Sequence, residues 1–268
     1  MYDLLHQLIA LEYELVERVM DVDFIYFDLI LVSVWMGLLL LRKHYRALIY
    51  GFVGAGIVFF TDDVLWYHLQ GSRFINAPLN GDLFLLYFSF TYGMIMFSYA
   101  PIMFDKEISI KEKSLWTGLL FGGWLVIALC SQWISWDDRV IAIGRDMSNG
   151  RIIQIFMVVG GYVALIALKL LKWNKITSTP WWYFGYLFLI GFIIHFSMEA
   201  TLLIAGIRPT RWGVLIFNSF LEFNTGIPIL YFVWLMIQPK EKEKATILSE
   251  EEPEELLVEP QEQIQRSH

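Results

Sequence analysis

The chain has 268 residues, 57 % hydrophobic and 18 % charged, with a mean hydropathy of +0.52; this excludes a soluble globule and points to a polytopic membrane protein. The net charge of −7 comes largely from the two ends and marks no acidic binding face. Nucleotide-binding glycine loops, nucleophile elbows and nucleic-acid patches are missing, and one cysteine, Cys130, inside an apolar span, excludes a disulfide framework or a cysteine metal cluster.

Residues 3–20 place Leu4, Leu5, Leu8, Leu11, Leu15 and Val19 at helical spacing, with charges on the other face. This predicts an interfacial amphipathic helix over 1–20. Asp3, Glu12, Glu14, Glu17 and Arg18 leave no pattern for a cleavable leader, so none is expected. Seven apolar spans follow in a membrane domain over 21–238: Phe24–Leu41, Ala47–Leu69, Leu83–Phe104, Leu115–Trp133, Ile152–Leu171, Trp181–Ala205 and Trp212–Ile237. Each is long enough to cross as a helix, and helices satisfy their own backbone groups in lipid. The fold class expected is an all-α polytopic membrane protein.

Arg42, Lys43 and Arg46, then Lys106, Lys111 and Lys113, then Lys172 and Lys175, then Lys240, Lys242 and Lys244 all fall on one side. That lysine excess marks the cytoplasmic face, so the amino terminus is expected outside and the carboxyl terminus inside. The opposite loops carry Arg73, then Arg139, Arg145 and Arg151, then Arg208 and Arg211. Residues 239–268 read as a disordered acidic cytoplasmic tail, because like charges run together and hydrophobicity is low.

The chain also resembles itself. Phe60-Thr61-x-Asp63 recurs as Phe196-Ser197-x-Glu199, Gly71-x-Arg73 as Gly206-x-Arg208, and Phe90-x-x-Gly93 as Phe223-x-x-Gly226. The layout expected is therefore two parallel three-helix repeats, about 24–104 and about 152–237, joined by a connector helix over 115–133 (3+1+3).

Ionisable groups inside apolar spans are expensive and usually face a protein interior or a wet cavity. Here the catalytic candidates are Glu222, Glu199, His195 and Asp63. His195 and Glu199 are one helical turn apart, as are Asn218 and Glu222. Pro228 cannot donate to the carbonyl of Asn224, which leaves an acceptor in mid-span. Asn218, Asn224, Thr225, Trp66, Tyr67, Phe223 and Trp212 are the substrate-binding candidates. Asp28 and Asp82 lie at similar depth in the outer half, and Asp62, Asp63 and His68 lie nearer the interface, where a solvated reading is stronger. A buried carboxyl could give a proton to an apolar substrate, with His195 receiving one or holding the carboxyl in place. The bland alternative is a polar network that glues helices together. His195, Glu199, Glu222 and Asp63 could also ligate zinc or iron, but no second histidine stands at helical spacing, so no metal and no cofactor are expected. Span seven has no lysine for a retinal Schiff base.

The layout resembles the lycopene-cyclase type of carotenoid membrane enzyme, built from two three-span units. The residues that carry the likeness are Asp63 through Gly71 to Phe74 and Asn76, Glu199 through Gly206, and the turn Pro78-Leu79-Asn80-Gly81-Asp82. Locally, His195, Glu199, Glu222 and Thr225 are similar to the His-x-x-x-Glu and Glu-x-x-Thr pattern of sterol isomerases of the emopamil-binding type. Both likenesses imply isoprenoid cations handled by carboxylates and aromatic faces. The expected function is an integral membrane enzyme acting on a polyisoprenoid or sterol-like lipid by proton transfer, of cyclase or isomerase type. Its expected partners are that apolar lipid and the membrane, with no nucleic acid. The alternatives are a proton-coupled small-molecule transporter on the same repeats and a membrane receptor or scaffold.

Overall fold

The computed structural model describes residues 15–146, 151–208 and 212–238. It has seven helices long and apolar enough to cross a membrane. They are α1 (Asp23–Leu41), α2 (Tyr45–Phe59, continued by a wide π-helical segment over Phe60–Leu69), α3 (Gly81–Phe104), α4 (Ile110–Trp133), α5 (Arg151–Leu170), α6 (Trp182–Ile204) and a broken seventh span. That last span is α7 (Trp212–Leu221), a 3-10 turn (Phe223–Thr225) and α8 (Ile227–Ile237). Pro228 sits in the first turn of α8, where its missing N–H costs nothing. Two helix starts carry side-chain caps: the Asn80 side chain accepts from the Leu83 N–H at 3.1 Å and Ser109 from the Glu112 N–H at 3.2 Å.

α3 and α6 form the centre. In their most apolar stretches 72 % and 67 % of residues are buried, against 11 % in α5, which faces outward along most of its length. α2 packs closely on α3 because small residues let the backbones approach. A Cβ added to Gly93 would lie 2.4 Å from the Cα of Ala55. Trp35, Trp116, Trp124, Phe84 and Phe104 fill the interior.

One end of the bundle carries a three-stranded antiparallel sheet that departs from the all-helical expectation. β1 (Leu15–Asp21) and β2 (Arg73–Asn76) flank a central β3 (Val140–Asp146). The register sets Arg18 opposite Ile143 and Arg73 opposite Arg145. The interfacial helix expected over 1–20 is thus corrected for residues 15–20, which are strand; residues 1–14 lie outside the described residues. The reason is visible in the side chains. Arg18 and Met20 point inward while Val19 is 47 % exposed, a period of two rather than 3.6. β1 also ties to the turn after α6, where the Val19 N–H donates to the Ile207 carbonyl at 3.0 Å. At the start of α1, Asp23 accepts from the Trp136 and Asp137 N–H groups at 2.8 and 3.0 Å, which anchors the chain leading into β3. The acidic tail assigned to 239–268 falls outside the described residues.

Four described residues other than helix or strand interiors take left-handed backbone: Lys43 (φ 58°), Gly71 (φ 62°), Lys172 (φ 54°) and Gly206 (φ 78°). Lys43 and Lys172 close the turns after α1 and α5. Gly71 and Gly206 close those after the second and sixth spans.

Candidate functional site

Beneath the sheet lies a cavity of about 240 Å³. Its walls are the wide segment of the second span, α3, α6 and the break in the seventh span, and its roof is the sheet. Both irregular helical stretches border it. Residues 60–69 are wound wide and residues 222–226 are interrupted, and irregular backbone inside a membrane is tolerated only where it is buried in protein or lines a cavity.

Three carboxylates converge here, each met by arginine. Glu199, 3 % exposed on α6, accepts from Arg18 Nη2 at 2.7 Å and from Arg208 Nη2 at 2.7 Å. Glu222, at the break, accepts from Arg145 Nη2 at 2.6 Å and Arg151 Nη1 at 3.3 Å. Asp62, in the wide segment, is bonded by Arg73. One arginine comes from each strand: Arg18, Arg73 and Arg145. The sheet is therefore fastened to the second, sixth and seventh spans by charge.

The guanidinium groups lie over aromatic rings. Arg145 lies 3.9 Å over the Trp66 ring, Arg73 5.4 Å over Phe88 and Arg18 5.4 Å over Tyr92. Arg18 also donates to the Tyr92 hydroxyl at 3.0 Å. Burial lowers Arg208 to about 10, with Glu199 pulling the other way. Burial likewise lowers Arg73. Burial acts downward on Arg18 too, but Tyr92 and Glu199 outweigh it and the net direction is up.

Of the candidates read from the sequence, Glu222, Glu199, His195, Asn218, Thr225, Trp66 and Phe223 line this one cavity. His195 Nε2 is 4.0 Å from Glu199 Oε1, and its Nδ1 is 3.3 Å from the Ser219 hydroxyl. Three candidates do not line it. Asp63 does not line the cavity, and Asp62 takes the place expected for it, one turn from Val58 and one from Trp66 on the same helix face. Tyr67 has its hydroxyl against Gly81, where an added Cβ would be 2.7 Å away. Asn224 is fully buried and works as helix glue: it accepts from the Tyr162 hydroxyl at 2.9 Å and donates to the Phe188 and Phe220 carbonyls at 3.2 and 3.1 Å. Asn224→Leu is expected to cost about 1–3 kcal/mol, the penalty for stranding buried partners. Denaturant unfolding of the detergent-solubilised protein measures this, and a change under about 0.5 kcal/mol would contradict the assignment. The side chain of Trp212 lies outside the described residues.

The arginines and Asp62 are what the sequence reading missed. The signal was present: the loops at the sheet end carry arginine almost without lysine, and a flat fork suited to carboxylate is a different choice from a solvated ammonium.

Among the described residues one group has a donor set for a metal ion. Asp63, His68 and Asp82 bring ligand atoms within 4.8 Å of one another. His68 Nε2 is 2.9 Å from Asp82 Oδ1 and 3.8 Å from Asp63 Oδ1. This trio lies outside the lining of the cavity, and the alternative ligand set of His195, Glu199, Glu222 and Asp63 is not gathered at one point. Compared with protein-family models, with curated proteins and with solved structures, the chain matches none.

Proposed function

We propose that this protein is an integral membrane enzyme acting on a polyisoprenoid or sterol-like lipid, of cyclase or isomerase type. The observation that carries the reading is convergence. Glu199 and Glu222, from two helices, line one cavity with His195, and the wall of that cavity includes the apolar Ile57 and Val58 of α2. In this reading the apolar wall takes part of the lipid while its reacting end reaches the charges.

The pairing refines the chemistry. An ionised carboxylate only accepts hydrogen bonds. In this reading His195, in its protonated form, gives a proton to a carbon–carbon double bond of the lipid, and Glu222 or Glu199 takes a proton from another carbon of the resulting cation, so that the lipid is rearranged with no net change in protons. A step that protonates either carboxylate displaces a guanidinium, and the proton then returns to His195, whose Nε2 is 4.0 Å from Glu199 Oε1. Trp66 and Phe223 offer ring faces to developing positive charge.

The reading keeps the lysine-rich end cytoplasmic and the sheet end outside. It also keeps the duplication of spans one to three as five to seven. Support comes from the left-handed turns, which fall in matching pairs: Lys43 with Lys172, and Gly71 with Gly206. Two residues after each glycine stands an arginine, Arg73 or Arg208, bonded to a carboxylate of the preceding span, Asp62 or Glu199.

A proton-coupled carrier is the second reading, favoured by the break at 222–226, because discontinuous helices mark many carrier sites. One purification separates them. Lipid extracted from the protein is identified by mass spectrometry and returned as substrate. Glu222→Gln is expected to lower turnover by about a hundredfold or more, the share of a general base. Uptake into proteoliposomes driven by a pH gradient, with no lipid converted, would transfer the protein to the carrier class.

A further inference from the structure

We infer that Asp63, His68 and Asp82 bind one divalent transition-metal ion of the zinc type, which clips the end of the second span to the start of α3. The inference stands apart from the lipid reading above, since none of the three residues lines the cavity.

The first argument is the donor set. One imidazole nitrogen and two carboxylate oxygens come within 4.8 Å of one another. His68 Nε2 stands 2.9 Å from Asp82 Oδ1 and 3.8 Å from Asp63 Oδ1. Ligands that share an ion at about 2.0–2.2 Å are themselves roughly 3–4 Å apart, so the spacing matches. Two carboxylates beside a neutral imidazole offset the charge of a divalent cation. The imidazole favours zinc over magnesium or calcium, which take oxygen ligands.

The second argument is the Asp63 oxygen. The side chain is 8 % exposed, and its Oδ1 is buried with no hydrogen-bond partner. An ionised carboxylate is costly to bury unmatched, and this oxygen is the one that faces His68 Nε2. The competing arrangement is a protonated His68 bonded to Asp82 alone. It leaves Asp63 Oδ1 unserved, because 3.8 Å is beyond a hydrogen bond. An ion held by all three residues serves it.

The third argument is the backbone. Asp63 and His68 are five residues apart, which in an α-helix sets side chains about 140° apart. The stretch Phe60–Leu69 is wound wider; the Gln70 N–H donates to the Leu65 carbonyl, five residues back, at 2.9 Å. Such winding turns His68 toward the face of Asp63, and it is frequent at functional sites. Asp82 is placed by the first turn of α3, which Asn80 caps. Gly81 lets that turn come close to the second span, since an added Cβ would lie 2.7 Å from the Tyr67 hydroxyl. His68 and Asp82 are more than half exposed, so water completes the coordination, as in other zinc sites with three protein ligands. Asp62 and Trp66, in the same wide segment, line the cavity; the ion therefore steadies one of its walls.

The test uses tag-free, full-length protein in detergent micelles. It is stripped with chelator and titrated with Zn²⁺, Mn²⁺ or Mg²⁺ by calorimetry, with the unfolding midpoint as a second readout. Zn²⁺ is expected to bind at one ion per chain, at least about tenfold more tightly than Mn²⁺ and about a hundredfold more tightly than Mg²⁺. Saturating Zn²⁺ is expected to raise the midpoint by at least about 2 °C. His68→Ala and Asp82→Asn are each expected to weaken Zn²⁺ at least about tenfold. Both side chains are exposed enough for the variants to fold. His195→Gln is expected to leave Zn²⁺ affinity unchanged.

Unchanged affinity in the His68 and Asp82 variants overturns the site. Loss of Zn²⁺ binding in His195→Gln places the ion in the cavity and overturns it as well. Mg²⁺ binding as tightly as Zn²⁺ marks an unselective acidic surface and overturns the zinc assignment. No Zn²⁺ binding by folded protein overturns the inference and leaves the lipid reading untouched.

Discussion

Glu199→Gln is expected to lower the stability of the folded protein by about 3–5 kcal/mol, the range found when one partner of a buried ion pair is removed. The carboxylate holds Arg18 from β1 and Arg208 from the turn after α6 at the same time. Without it two buried guanidinium groups face each other with no counter-charge. An amide can still accept one hydrogen bond, but it cannot offset either charge. Arg18→Met should cost less, because Arg208 remains on Glu199. The triple change of Glu199, Arg18 and Arg208 to Met should recover much of the loss, since replacing a whole buried ionic group by apolar side chains is often neutral or better. Equilibrium unfolding in mixed micelles measures all three. If Glu199→Gln lies within about 1 kcal/mol of the parent, the carboxylate is solvated and the buried cluster does not exist as drawn.

Gly93→Leu is expected to be at least as damaging, for a steric reason. An added Cβ would sit 2.4 Å from Ala55 Cα, 2.5 Å from Ala55 N and 2.7 Å from the Gly54 carbonyl carbon. These are backbone atoms, so no rotamer change relieves the overlap. α2 and α3 must separate, and the second span carries Asp62 and Trp66 with it. The expected cost exceeds the about 1–3 kcal/mol of ordinary overpacking, and yield from membranes should drop. Gly118→Ala on α4 is the control. Nothing lies within 4 Å of its added Cβ, and the helix should gain about 0.5–1 kcal/mol. Comparable stability of the Gly93 and Gly118 variants would show that α2 and α3 do not pack this closely.

The sequence made the membrane spans plain because hydropathy over some twenty residues is a direct physical requirement of the bilayer. The seventh span carried one mark of irregularity in the sequence: Pro228 leaves a carbonyl free in mid-span, and the span is interrupted just before it, at 222–226. Convergence of His195, Glu199 and Glu222 was readable from their spacing and their cost in hydrocarbon. The sheet was not. Leu11, Leu15 and Val19 fit a helical stripe as well as Arg18 and Met20 fit a strand, and only the partner β3, far along the chain, decides between them. Nor could Asp62 be told from Asp63. The choice depends on which face of the second span meets the cavity, the one shared by Val58, Asp62 and Trp66, and both carboxylates stand inside the same apolar span. The arginines were visible yet were counted only as loop charge.

The order of the strands also bears on how a nascent chain becomes a working one. β3 lies between β1 and β2, so neither outer strand has its neighbour until four spans have been threaded. Asp62 and Arg73 can meet early, being close in sequence. Arg18 must await the sixth span for Glu199, and Arg145 the seventh for Glu222. The assembled cavity is thus the final product of biogenesis, and a chain arrested before α7 lacks Glu222, the carboxylate that Arg145 and Arg151 share.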